Sequence, residues 1–374
     1  MEFAIDRKPF MESLGMVQGI VERRNTVPIL GHVLLEIDDS QLRLSATDLE
    51  VGLRTELLCE ASSKGVLTLS ARKLFEVVRE TEAERVILKS LDNDWIELKC
   101  GRARFKMMGL DPRSFPAMPA QNGKGDDAKI KGALKIAPRV LSEMIDRTIF
   151  AVSPDEARYN LSGVYLEAPE TGRVRMVATD GHRLSFIERE AEDFTMSGGV
   201  IIPRKGLVEL RKLLDQAGDL VELKLSGQLA SLSRSDHTEV SMRLVEGEFP
   251  DYRGVIPKES RYQIPIGRDL LLSAIKRAAI FSNERYHGVK LSFANDELTV
   301  SSTSPEMGEA SETLDVAFSG PEFSVGFNAA YLQQVLGVIG EGDAILGLTD
   351  EVSPGVITTD RDSGFKYVVM PMRL

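Results

Sequence analysis

Cysteine is nearly absent from this chain. Cys59 and Cys100 are the two thiols among 374 residues, too few for a disulfide framework or a four-cysteine metal site, and both are expected as reduced, half-buried side chains. Phe, Trp and Tyr together make up 6 %. The cationic helical segments described below show almost no aromatic interleaving, which argues against stacking the bases of a single strand. No apolar run reaches 18 residues, and the start of the chain, MEFAIDR, has no basic segment leading into an apolar one. Neither a membrane span nor a secretory leader is expected, and the chain reads as cytoplasmic. Also missing are GxxxxGK with a following Ser or Thr, GxGxxG, GxSxG and HExxH, so nucleotide cradling, nucleophile-elbow hydrolysis and zinc hydrolysis lack their usual geometry. His32, His182, His237 and His287 are scattered, with no cysteine at ligand spacing. No cofactor and no metal are expected.

What remains is an ordinary globular composition with an acidic balance. Lys and Arg number 46 against 57 Asp and Glu, for a net charge of −11, and 43 % of residues are hydrophobic. A length of 374 residues corresponds to two to four domains at roughly 100–200 residues each. Such acidity argues against a protein that coats nucleic acid with its whole surface, but it permits a basic stripe on one face.

Internal repetition is the most informative feature. A helix-period segment begins at Ile5 (IDRKPFMESLGMV), at Ile136 (IAPRVLSEMIDRTIF) and at Ile266 (IGRDLLLSAIKRAAIF), at offsets of 131 and 130. Phe10 and Leu14 correspond to Leu141 and Ile145, and then to Leu271 and Ile275. The i, i+4 spacing predicts the same buried helix face in each copy. Gly31, Gly163 and Gly288 then open the apolar strands VLLEI, VYLEA and VKLSF. The next strand ends in Ala46-Thr47-Asp48, Ala178-Thr179-Asp180 and, in a weaker third copy, Ser302-Thr303-Ser304, which are small polar residues suited to a turn.

A second helix follows near Ala71, Pro203 and Asn328, and two late strands are expected to close each copy. The unit of about 125 residues (a third of 374) is thus expected as β-α-β-β-β-α-β-β or close to it. Its two helices should lie on one face of an antiparallel sheet, giving an α+β fold repeated three times. Polar, glycine-rich 121–127 and Pro-containing 251–260 read as linkers.

Charge is unevenly divided. The six helical segments carry a net charge of about +7 although the chain carries −11, so strands, turns and loops are strongly acidic. Helices lining one surface would attract a polyanion there. Lys and Arg are also good helix formers and solvate exposed faces, yet Arg72-Lys73 and Arg204-Lys205 recur at an offset of 132. Ala329-Ala330 breaks that pattern in the third copy. Phosphate contact to a duplex, without sequence reading, is the better fit. The one segment a catalytic reading can use is TDGHRLS (179–185), which packs Asp180, His182 and Ser185 together. Proximity along the chain is not convergence in space, so a turn with a polar rim is the preferred reading and a monomeric enzyme the competing one.

With the triple repeat, the runs VATDGHRLS (177–185), IIPRKGLVEL (201–210), EGEFPDYRGVIP (246–257) and YVVMPMRL (367–374) make the chain resemble the bacterial sliding clamps, the beta subunits of the replicative DNA polymerase III holoenzyme, over its whole length. The resemblance implies three clamp domains, at 1–122, 128–254 and 255–374, and a head-to-tail homodimer of six domains closing a ring. Helices would line the hole and sheets the outside. It implies a non-catalytic processivity factor that encircles duplex DNA without reading its sequence, is loaded by a clamp-loader ATPase, and tethers the replicative polymerase subunit and other polymerases or repair proteins through short peptides.

For that peptide site the resemblance points to Leu161, Thr179, Gly181, His182, Arg183, Leu184, Pro250, Val255, Asn328, Tyr331, Val352, Val368, Val369, Met370, Pro371, Met372, Arg373 and Leu374, with Tyr286 where phenylalanine is common. Gly254 and Pro354 depart from side chains that line the groove in some members. Methionine suits such a surface because a flexible thioether repacks around different ligands. Ile280 and Phe281 are implied to meet Phe105 and Met107 of the other subunit, edge strand to edge strand. Arg24 matches a DNA contact, while Asp155 stands where a neutral polar residue is known. Arg72, Lys73, Arg204 and Lys205 are added to the DNA surface on charge alone.

Overall fold

The computed structural model describes residues 1–21, 26–118, 131–155, 157–215, 218, 220–283 and 285–373. The first repeat runs β1 (Glu2–Asp6), α1 (Arg7–Ile20), β2 (His32–Asp38), β3 (Gln41–Thr47), β4 (Val51–Leu58), β5 (Glu60–Ser63), β6 (Gly65–Ser70), α2 (Ala71–Glu80), β7 (Arg85–Ser90), β8 (Trp95–Cys100) and β9 (Ala103–Met108). The second runs β10 (Lys131–Ile136), α3 (Pro138–Asp146), β11 (Gly163–Glu167), β12 (Arg173–Thr179), β13 (Arg183–Glu190), β14 (Gly199–Pro203), α4 (Arg204–Leu214), β15 (Val221–Ser226), β16 (Leu229–Ser233) and β17 (Glu239–Arg243). The third runs β18 (Tyr262–Gly267), α5 (Arg268–Ala279), β19 (Gly288–Ala294), β20 (Glu297–Ser304), β21 (Gly308–Asp315), β22 (Phe323–Asn328), α6 (Ala329–Val338), β23 (Asp343–Leu348), β24 (Gly355–Thr359) and β25 (Asp362–Val369).

Phe10, Leu14, Leu141, Ile145, Leu271 and Ile275 are all buried, as the i, i+4 pairs require. Ser70 and Asn328 cap α2 and α6, each side-chain oxygen accepting from the first turn of its helix. Arg7 and Arg268, which count toward the helical positive charge, reach across to the other helix end. Arg7 donates to the carbonyls of Val78 and Arg79 at 2.9 and 2.7 Å, and Arg268 to that of Leu336 at 2.6 Å. Cations there complement the negative end of the helix dipole.

Two expectations need correction. Among the described residues three strands, not two, follow each second helix, and five or six, not four, precede it. One of the extra strands, β9, buries little of itself, with Met107 its single half-buried residue. Nor does each repeat keep one sheet, because its strands divide between two.

Contacts gather the chain into two compact units, residues 1–139, 194–197 and 205–244 in one and 140–193, 198–204 and 245–374 in the other, which cut across the second repeat. The first unit holds the sheets β5-β1-β7-β8-β9 and β10-β15-β16-β17-β4-β3-β2-β6. The second holds β14-β11-β12-β13-β25-β24-β23-β18 and β21-β20-β19-β22. Each unit therefore contains a seam between repeats. In the first, Val51, Gly52, Leu53 and Arg54 pair with Met242, Ser241, Val240 and Glu239. In the second, Arg183, Leu184, Ser185 and Phe186 pair with Val369, Val368, Tyr367 and Lys366. β9 and β21 are left as sheet edges.

The repeated polar triplets form one turn twice. Thr47 Oγ1 donates to the Val51 carbonyl at 2.9 Å while Asp48 Oδ1 accepts from the amides of Glu50 and Val51. Thr179 and Asp180 do the same for Arg183 and for His182 and Arg183. Both turns need a residue at positive φ, supplied by Gly181 (φ 89°) in one and by Leu49 (φ 82°) in the other. A left-handed leucine costs about 1–2 kcal/mol, and the Leu49 side chain is 48 % exposed, so little burial offsets that cost. Leu49→Gly is therefore expected to be neutral or stabilising by up to about 1 kcal/mol. Gly181→Leu should destabilise by about 1–2 kcal/mol, its Cβ also arriving 3.1 Å from Arg158 Nη1. Thermal unfolding of both variants checks this asymmetry.

Candidate functional site

The second turn, the seam and the 250–255 segment converge on one cavity. Arg183 follows the turn and is buried, yet its charge is fully engaged. Its Nε donates to Asp180 Oδ2 at 3.1 Å, its Nη2 to the Phe150 carbonyl at 2.6 Å and its Nη1 to Gln334. The guanidinium lies 4.3 Å from the Tyr331 ring centre. Arg183 thus ties β13 to α6, and removing one member of such a buried pair costs about 3–5 kcal/mol. The Tyr331 phenol is pushed up by burial and by the Asp180 carboxylate.

In front of the cluster lies a cavity of about 290 Å³ lined by Leu161, Thr179, Gly181, Arg183, Leu184, Pro250, Asp251, Tyr252, Val255, Val368 and Met370. Its floor belongs to the core of Val177, Leu184, Tyr252 and Val368, with Tyr165, Phe186, Phe249 and Ile256 packed behind. Tyr165 and Phe249 stack at 4.9 Å between ring centres. The Tyr252 hydroxyl donates to Glu167 and accepts from Arg175 Nη1 at 2.8 Å. An apolar pocket near the small end of ligand cavities suits one or two apolar side chains.

Nine residues expected at the peptide site line this cavity together: Leu161, Thr179, Gly181, Arg183, Leu184, Pro250, Val255, Val368 and Met370. The others stand outside its lining. The His182 carbonyl receives the Met370 amide at 2.9 Å, and Val369 pairs with both Arg183 and Gly355. The Met372 amide donates to Gly326 at 2.8 Å, so the tail through Met372 is an edge cap and not a loose end. Asn328 Nδ2 donates to the Tyr286 carbonyl at 3.3 Å, beside Tyr331. Tyr286 and Val352 are exposed, as is Arg373, with Pro371 half-buried. Leu374 lies outside the described residues. A Cβ on Gly254 would meet nothing within 4 Å, which leaves that rim open.

Asp251 and Tyr252 were missed. The EFPDYRGVIP run contained them, but only long-range packing reveals that the Tyr252 ring turns inward. The catalytic alternative finds no support: Ser185 is buried and donates to the Arg147 carbonyl, while Asp180 is held by backbone amides and Arg183. Cys59 and Cys100 are buried free thiols, more buried than expected, and burial pushes both up.

The remaining expected residues lie elsewhere. Arg72 and Lys73 sit exposed on α2, both paired with Glu76 at 2.8 and 2.9 Å. Arg204 is exposed, whereas Lys205 pairs with the buried Asp48. Arg24 falls outside the described residues. Ile280 is 68 % exposed after α5, and Phe105 is 38 % exposed on edge strand β9. Phe281 is half-buried, 3.9 Å from where a Gly308 Cβ would stand at the start of β21.

Profiles of the DNA polymerase III beta subunit match in tandem, the N-terminal domain over residues 1–119, the central domain over 135–251 and the C-terminal domain over 253–373. The chain belongs to the DNA polymerase III beta subunit family. The beta sliding clamp of Caulobacter vibrioides is 34 % identical over the full length of both chains. Among solved structures, the C. crescentus beta sliding clamp with polyethylene glycol bound to a putative beta-motif tethering region superposes with a TM-score of 0.92 at 34 % identity, covering both chains completely. The Pseudomonas aeruginosa sliding clamp bound to griselimycin gives 0.91 at 35 %, again over the whole of both chains. Membership makes this chain a non-catalytic processivity factor of DNA replication.

Burial and the Glu167 carboxylate push the Tyr252 phenol up to about 12 from an ordinary 10. The folded state therefore favours the protonated phenol. The stability this contributes, on the order of 2 kcal/mol, is complete below pH 10 and lost as pH rises toward 12. Denaturant unfolding followed between pH 9 and 12 should show that loss in the parent chain and less of it in Tyr252→Phe.

Proposed function

We propose that two copies of this chain close head to tail into a ring around duplex DNA, and that the apolar cavity holds the anchor side chains of short peptides from the proteins the ring carries. In this reading three clamp domains, 1–122, 128–254 and 255–374, are supplied by each copy. The observation that carries it is the repeated seam. β17 on β4 and β25 on β13 use the same positions of each repeat. The third use of that rule pairs β9 with β21, both of them edges. An exposed edge strand is a template for a foreign strand, and here the two edges differ in sign, with Arg104 and Lys106 on one and Glu309, Glu312 and Asp315 on the other.

Carrying the register over sets Met107 against Gly308, Lys106 against Glu309, Phe105 against Ala310 and Arg104 against Ser311. Phe281 beside Gly308, with exposed Ile280, then reaches Met107 and Phe105 of the partner copy. A head-to-tail contact closes only when the rotation allows it, and two three-domain copies supply six domains.

Inside the ring, Arg24, Arg72, Lys73, Arg204 and Lys205 meet phosphates, Lys205 while also engaged by Asp48. Contacts of this kind are weak and mobile, so enclosure and not grip retains the ring. The clamp-loader ATPase opens it, because this sequence carries no phosphate loop, and the replicative polymerase subunit and other DNA-processing proteins dock through peptides.

Loaded on nicked circular duplex, the protein should survive gel filtration with the DNA and be shed when the circle is cut. Equal retention on circular and linear DNA would overturn the reading. Changing Ile280 and Phe281 together to Asp should give a 41.3 kDa species by light scattering in place of one twice that mass.

A further inference from the structure

Four of the residues lining the apolar cavity, Pro250, Asp251, Tyr252 and Val255, come from one segment with little regular structure. Its position relative to β11, β12 and β13 decides the shape of the cavity, and backbone pairing with those strands does not fix it. Side chains do. Glu167 at the end of β11 is buried and receives the Tyr252 hydroxyl and the Arg253 guanidinium, the latter at 2.9 Å. Arg175 on β12 donates to the same hydroxyl at 2.8 Å, pairs with Glu167 at 3.0 Å and Glu188 at 2.6 Å, and lies 4.8 Å from the Phe186 ring centre. Tyr252 is 3 % exposed, with the rings of Tyr165, Phe186 and Phe249 each 6.4 Å from its own between centres.

We propose that Glu167 and Arg175 are positioning residues of the peptide site: by clamping the Tyr252 hydroxyl from two strands, they hold the ring as the fixed floor of the cavity and so determine how well an apolar anchor is received. The inference rests on the peptide-binding reading and extends it to residues that touch no ligand. A buried carboxylate between two guanidiniums is a costly arrangement to assemble, and what it secures here is the orientation of one aromatic side chain. Without the clamp, the ring and its segment sample positions that fill or widen the cavity. Only the fraction with the floor in place then binds, which lowers apparent affinity by that fraction.

Griselimycin, the ligand carried by the P. aeruginosa clamp, is the probe, measured by surface plasmon resonance on the full-length protein. Tyr252→Phe and Glu167→Ala are expected to weaken binding at least tenfold, with a slower association rate at a temperature where both remain folded. Glu167→Gln, which keeps an acceptor for the hydroxyl, should stay within threefold of the parent. Glu170→Ala, which removes a surface partner of Arg173 at 2.9 Å, should leave binding unchanged. A purely structural role would lower the melting temperature and leave the association rate of the folded protein where it was. Tyr252→Phe preserves the ring, so the test stays readable even where Glu167→Ala unfolds. Binding by Tyr252→Phe and Glu167→Ala within twofold of the parent overturns the proposal. Failure of the parent chain to bind griselimycin, or binding that Val255→Asp at the cavity rim leaves unchanged, overturns the peptide-site reading itself.

Discussion

Four residue pairs join β17 to β4, and five pairs, the first four of them equivalent, join β25 to β13. These backbone ladders are the constraint on which the rest depends. A strand at the edge of one repeat has unsatisfied amides and carbonyls, and each seam pairs them with the next repeat. Fixing the pairing also fixes which residues share a face, because a slip of one position would turn every side chain over. Within each unit the seam therefore sets the register from which the turns and the cavity are built.

The apolar cavity grows directly out of the second seam. Arg183 and Leu184 enter β13 from the tight turn, Val368 and Val369 lie opposite them, and the Met370 amide closes the corner on His182. The first seam repeats the same corner, with the Arg243 amide on Glu50. There, however, Leu49 takes the place of Gly181 and Val51 that of Arg183. Arg183 is the residue that joins the corner to Asp180, Phe150 and Gln334. The same backbone thus carries a site at one junction because of the side chains placed upon it, as expected when function is grafted on a fold.

Much of this was legible in the sequence, for reasons that are local. Phe10 with Leu14 and their two counterparts marked the buried faces because helix spacing is short-range. Thr179 and Asp180 marked a turn because their side chains bond backbone two to four residues on. What was not legible is long-range. β9 alternates apolar Ala103, Phe105 and Met107 with charged Arg104 and Lys106, yet it stays exposed at a sheet edge, so burial within the chain does not set its place. The division of each repeat between two sheets follows from pairings more than 100 residues apart, such as Thr55 Oγ1 with Thr238 Oγ1. Tyr252 read as one more aromatic, and only the Glu167 and Arg175 contacts show which way it faces. Helix charge was counted correctly, but part of it is engaged within the fold: Arg7 and Arg268 close helix ends, and Lys205 pairs with Asp48.

The central claim is that the seam seen twice within the chain is used a third time between copies, in the same register. The most direct measurement is disulfide trapping with Lys106→Cys and Glu309→Cys in one chain, since Cys59 and Cys100 are buried and directly opposed strand residues lie within disulfide reach. Mild oxidation should give a covalent dimer on non-reducing electrophoresis, while the control pair Lys106→Cys with Glu297→Cys gives none. Exclusively monomeric product from the first pair, or trapping that is as efficient in the control, would contradict the account.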